Sequence, residues 1–145
     1  MSERSKSSVE STKAAEPVGP YPHARRVGDL LFLSGLGPRE RGSKTIPGVT
    51  LNERGEAIDH DIVAQTHSVM RNIKAVLDDA GATWDDIVDV TVFLTDMKRD
   101  FKTFNAVYAE YFKGEHRPTR TTVEVGALPT PIAVELKVIA YLSAK

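Results

Sequence analysis

Cysteine is missing altogether from this sequence. Its absence excludes disulfides, thiolate nucleophiles and cysteine-ligated zinc, and with them the Cys-pair signature of the zinc deaminases. No apolar run approaches the ~18 residues of a membrane span, so no membrane contact is expected. The serine-rich start, Met1 to Glu16, mixes charges of both signs and lacks the apolar stretch of a secretory signal. It reads as a flexible N-terminal tail over residues 1–16, ordered at most near its end, with a single domain over 17–145 and a cytoplasmic setting. A net charge of −1 leaves no basic surplus, which argues against nucleic acid as a partner. The four histidines, His23, His60, His67 and His116, fall at no metal-ligand spacing. They read as surface residues, and no metal is expected. A phosphate-cradling glycine pattern is lacking too, and Leu33-Ser34-Gly35 misses the first glycine of a nucleophile elbow.

What is there patterns clearly. Leu30 to Leu36 is a buried-looking strand, preceded by a short strand over Ala24 to Val27. Asp61 is a plausible N-cap for a helix that runs to about Ala80 and stops at Gly81. Ile62, Thr66, Val69, Met70, Ile73, Val76, Leu77 and Ala80 repeat at three and four residues, which is one buried helical face. Val88 to Thr95 alternates strictly and is a strand. Asp96 or Asp100 caps a second helix ending near Lys113-Gly114, with Asn105 inside its apolar stripe. A buried amide there either bonds a neighbouring loop or lines a site. Residues 37–60 read as a long polar loop made positive by Arg39, Arg41 and Lys44.

The last thirty residues hold the chemistry. They form two strands, one from Thr119 to Val125 and one from Ala133 to Tyr141, joined by the turn segment Gly126 to Pro131. Alternation places Arg120, Thr122 and Glu124 on one face of the first. In the second it places Val134, Leu136, Val138 and Ala140 opposite Glu135, Lys137, Ile139 and Tyr141. Arg120 and Glu135 could bind an anion and handle a proton, or could form only a stabilising cross-strand pair. Two amphipathic helices and five or six strands make a two-layer α+β domain, with both helices on one face of a mixed sheet. The other face also reads as apolar, from Leu31, Leu33 and the Val88–Leu94 set, so burial against another subunit is expected.

Gly19-Pro20-Tyr21, Leu33-Ser34-Gly35, Asn105-x-x-Tyr108, Arg117-Pro118-x-Arg120-x-x-Val123-Glu124-Val125 and Val134-Glu135 occur in that order. The combination, from about Val18 to Tyr141, resembles the reactive-intermediate deaminase (RidA/YjgF) family. The resemblance implies a chorismate-mutase-like fold and a homotrimer around a central barrel, with sites between subunits. Arg120 would hold a substrate carboxylate, and Glu135 would activate water. Tyr21, Ser34, the Gly35 backbone and Asn105 would line the pocket. No cofactor is implied, because an imine carbon is already electrophilic. Thr122 stands where many members carry a cysteine.

Two departures refine the resemblance. The basic segment Gly37 to Val49 is longer than the usual loop, and Gly126-Ala127 replaces a common Ala-Arg pair. With the Pro129-Thr130-Pro131 turn, this variant resembles the 2-aminomuconate deaminases of aromatic-compound catabolism, which form an oxo-hexenedioate (4-oxalocrotonate) and ammonia. Arg39, Arg41 or Lys44 could then meet the second carboxylate of the dicarboxylate substrate, or form only a solvated basic loop. A general 2-imino acid deaminase and a non-catalytic metabolite-binding trimer are the alternatives.

Overall fold

The computed structural model describes residues 7–142. Eight strands and two helices follow in the order β1 (Ser8–Val9), β2 (Ala24–Val27), β3 (Leu30–Leu33), β4 (Val49–Leu51), β5 (Ala57–His60), α1 (Ile62–Ala80), β6 (Ile87–Leu94), α2 (Met97–Tyr111), β7 (Thr119–Glu124) and β8 (Val134–Tyr141). Six strands form one mixed sheet in the order β1-β2-β3-β8-β6-β7, in which only β6 and β7 run parallel. That parallel pair needs a crossover, and α2 supplies it. The two helices lie on one face, as expected.

Both helices begin where the sequence places their caps. Asp61 accepts from the backbone N–H groups of Val63 and Ala64 at 3.0 and 3.1 Å. Gly81 closes α1 in the left-handed region at φ 75°, where a Cβ would be strained. Of the two capping candidates for α2, Asp96 does the capping, and Asp100 is buried one turn later. Val69, Met70, Ile73, Val76 and Leu77 of α1 form one core with Leu31, Leu33, Val90, Val92, Leu136 and Val138 of the sheet. Leu31, Leu33, Val90, Val92 and Leu94 therefore face the helices, contrary to the expectation that they supply the opposite face. Register pairing puts Leu30, Phe32, Ile139, Phe93 and Val123 on that outer face instead.

Two segments depart from their expected form. Residues 37–60 are not one long loop, because β4 and β5 pair as a separate hairpin. Its turn is closed by Asn52, whose Oδ1 accepts from the N–H groups of Arg54 and Glu56. The tail assigned to 1–16 is also corrected from Ser7 onward; residues 1–6 lie outside the described residues. Strand β1 pairs with β2, and Ser11, Ala14 and Ala15 are buried. Residues 7–16 thus form a strap fastened by side chains distant in sequence. His23, expected at the surface, is 2% exposed beneath the strap. Its Nδ1 accepts from the Ser11 N–H, and its Nε2–H donates to the Ala15 carbonyl.

Asn72 ties the strap to the loop before β4. Its Oδ1 accepts from the Ala15 N–H at 3.0 Å, and its Nδ2 donates to the carbonyls of Gly37 and Arg39 at 2.9 and 2.7 Å. Asn72→Ala is expected to cost about 3 kcal/mol in chemical denaturation, because it strands one buried donor and two carbonyls. A cost below about 0.5 kcal/mol would mean that water replaces the amide without loss.

Candidate active site

Three local features place Glu135 where it sits. The alternation of β8 turns it away from the core-facing Val134 and Leu136. Gln65, fully buried on α1, accepts from the Ala133 N–H at 2.8 Å and anchors the start of the strand. Gly35 leaves room for the carboxylate, since a Cβ there would lie 2.5 Å from Glu135 Oε2. The Glu135 side chain makes no hydrogen bond or ion pair among the described residues. Burial raises its carboxyl above the ordinary value. A half-buried carboxylate without a partner suits proton transfer.

A cleft of about 110 Å³ opens beside it, lined by Tyr21, Gly35, Arg39, Thr130, Ile132 and Glu135, among others. Ser34 borders an adjoining small cavity with Tyr21, Gly35 and Arg39. Its hydroxyl donates to the Pro22 carbonyl at 2.8 Å, so Ser34 fixes the Tyr21 segment. Lys137, two residues beyond Glu135 on the same face, donates to the Leu33 carbonyl at 2.7 Å. That bond steadies the peptide leading into Ser34-Gly35, and burial lowers the Lys137 ammonium below its ordinary value.

Of the three basic residues assigned to a second carboxylate, only Arg39 reaches this cleft, with one guanidinium nitrogen donating to the Glu16 carbonyl. Arg41 is spent elsewhere: it donates to the Ala14 and Ser11 carbonyls at 2.8 Å each, and it borders a separate cavity along α1. Lys44 borders neither the Glu135 cleft nor the Arg120 cleft. Spacing of charges along a loop could not separate these three, because the choice depends on which carbonyls of the strap lie overhead.

Arg120 lies on the other side of the sheet. It pairs in register with Val90, which faces the helices, whereas Glu135 pairs with Phe93 on the outer face. No Arg120–Glu135 cross-strand pair forms, because the two side chains leave opposite faces of the sheet. The Arg120 guanidinium instead lies over the Tyr108 ring at 4.7 Å, with Phe104 at 5.7 Å and Phe101 at 5.9 Å. These aromatics recur on one face of α2 and hold the cation by its charge over their rings. A cleft of about 460 Å³ beside it is lined by Tyr108, Glu115, Arg117, Pro118 and Arg120.

Asn105 sits between Phe101 and Tyr108 on the same helical face, as its spacing implies. Its Oδ1 and the Tyr108 hydroxyl are buried without a hydrogen-bond partner among the described residues. Burial pushes the Tyr108 phenol up to about 12, against the opposing effect of Arg120. It therefore stays a neutral donor at physiological pH. Two buried polar atoms without a partner among the described residues thus lie on the α2 face whose aromatic rings hold the Arg120 guanidinium. In the sequence Tyr108 enters only through the Asn105-x-x-Tyr108 motif and receives no site role, because its place in the apolar stripe masks its hydroxyl.

One side chain's room is itself testable. Gly35→Ala is expected to lower turnover about a hundredfold, the size of effect produced by a misplaced reacting group, while leaving the fold intact. Circular dichroism and initial rates measured on the same sample check it.

The sequence and the fold resemble those of known proteins. The profile described as Endoribonuclease L-PSP matches residues 11–142. A RutC family protein of Pyrococcus abyssi is 43% identical over 129 residues, covering 89% of this chain and 91% of its own. The chloroplastic Reactive Intermediate Deaminase A of Arabidopsis thaliana is 36% identical over 134 residues, covering 92% of this chain and 65% of the plant protein. Among solved structures, Escherichia coli TdcF with bound serine superposes with a TM-score of 0.80 at 33% identity, covering 95% of this chain and all of the other. The chain belongs to the Endoribonuclease L-PSP family, the group of the RidA/YjgF and RutC proteins.

Proposed function

We propose that this protein is an imine and enamine deaminase whose site is completed between two copies of the chain, and that its substrate is 2-aminomuconate. The observation that carries the reading is the unpartnered, half-buried carboxylate of Glu135, seated over Gly35 at the wall of a cleft. The name of the plant relative supports the reaction class. Sharing of the site between two copies is supported by Arg120 and Glu135 lying on opposite sheet faces. The outer face is suited to contact, since Leu30 and Val123 leave 39% and 37% of their surface exposed there. A cyclic trimer is the assembly proposed, each chain lending Arg120, Asn105 and Tyr108 to its neighbour's Glu135 cleft.

In that site the substrate C1 carboxylate pairs with Arg120, and the Tyr21 ring borders the carbon chain. The enamine tautomerises to the imine, whose carbon is electrophilic. Glu135 takes a proton from water as the water oxygen bonds to that carbon, giving a carbinolamine. Glu135 returns that proton to the nitrogen, then moves the carbinolamine hydroxyl proton to it as well, so that the C–N bond breaks and ammonia leaves as the carbonyl forms. One water is consumed for each ammonia released.

Arg39 is the residue placed to meet a second carboxylate. Arg39→Gln is expected to raise KM for 2-aminomuconate at least about tenfold with kcat little changed, the loss of one charge-assisted pair. Kinetics with 2-iminopropionate should be unaffected. One observation favours a second reading, a small 2-imino acid substrate: Arg39 already donates to the Glu16 carbonyl. Equal kinetics for wild type and Arg39→Gln with both substrates would select that reading.

A further inference from the structure

The largest cleft described in the molecule is not the one beside Glu135. It lies along the solvent side of α1, holds about 590 Å³, and shares no lining residue with the Glu135 cleft. Three separate segments bring cations to it: Lys13 from the strap, Arg41 from the loop after β3, and Arg71 and Lys74 from α1. The opposing acids in the lining are Glu40 and Asp78, and Asp78 is already occupied by Lys74 at 3.1 Å. Lys13 and Arg71 have no ion-pair partner among the described residues. Cations gathered in a concavity repel one another and concentrate anions there.

We infer that this cleft is a second ligand site, taking a compact phosphate-type dianion between Lys13 and Arg71. A guanidinium fork and a mobile ammonium suit a phosphoryl group. The cleft's inner wall is rigid, because Ser68 donates to the Pro38 carbonyl at 2.6 Å and Asn72 to those of Gly37 and Arg39. Arg41 meanwhile grips the Ser11 and Ala14 carbonyls of the strap. An anion bridging Lys13 to Arg71 therefore braces the strap against α1. The same loop carries Gly37 and Arg39 into the Glu135 cleft. Occupancy stiffens that wall, and linkage makes the coupling between the two clefts reciprocal.

Calorimetric titration of the full chain with inorganic phosphate at low ionic strength tests the site, with glycerol 3-phosphate as the ester arm. Saturable binding of one ion per chain is expected, weakened about tenfold in Lys13→Gln and in Arg71→Gln. Lys98→Gln, on α2, should bind like wild type. Hydrogen exchange at amides 11–16 and 39–42 should slow on binding. Tighter binding of the ester supports a phosphorylated metabolite at this site, and tighter binding of phosphate supports the free ion. Non-saturable binding, equal weakening in all three variants, or loss only in Arg120→Ala would overturn the inference.

Discussion

Glu135→Gln is expected to reduce kcat for 2-aminomuconate by about 10²–10⁴, the usual contribution of a positioned general base. The amide keeps the shape of the carboxyl, so Gly35 accommodates it, but it cannot take the water proton. Wild-type kcat/KM should rise with pH through a midpoint above the ordinary carboxyl value, since burial raises the Glu135 carboxyl. That limb should vanish in the variant. Stability should move the other way. A carboxyl with a raised folded pKa favours the folded state below its unfolded pKa, and this contribution is lost as pH rises through the folded value. At pH 7 the charged, desolvated carboxylate therefore works against folding, and Glu135→Gln should melt at a higher temperature than wild type. The difference should fade near pH 4, where both side chains are neutral. An active Glu135→Gln enzyme would remove the residue from the chemistry. An inactive variant that melts lower at pH 7 would mean that the carboxylate has a stabilising partner in the assembly.

The second large effect concerns where the site is. Arg120→Ala should lower kcat/KM about a hundredfold, by loss of a charge-assisted pair to the substrate carboxylate. Arg120→Ala and Glu135→Ala chains, each nearly inactive, should regain about a quarter of wild-type turnover when coexpressed in equal amounts. That fraction is the chance that an intact Glu135 on one chain meets an intact Arg120 on the neighbour that faces it. The expectation rests on the register, in which Arg120 opposes a core-facing valine and Glu135 an outer-face phenylalanine. A mixture with no more turnover than the separate variants would overturn the shared site. Chromatography of the same mixture checks that the chains associate.

The sequence by itself determined the two helices, the core strands of the main sheet and the caps of α1. Asp61, Gly81 and the α1 stripe needed only neighbours within a turn, and the alternation of β6 and β8 named the residues that share a face. Local periodicity also separated Glu135 from the core-facing Val134 and Leu136. What it left open was which shared face the helices would cover, and so Leu31 and Leu33 were placed on the wrong side. That choice depends on strand order and on the parallel β6–β7 pairing, both long-range. The strap was unreadable for the same reason: a two-residue strand has no period, and its anchors His23, Arg41 and Asn72 lie 8 to 57 residues away from the strap groups they bond. Charge along the loop could propose Arg39, Arg41 and Lys44 together, and only the carbonyls of the strap distinguished them. Tertiary structure also decided that Arg120 and Glu135, on strands consecutive in the chain but separated by β6 in the sheet, point to opposite sides of it. A pleated strand fixes the alternation of its own side chains, but the side of the sheet each one meets is set by the partner strands.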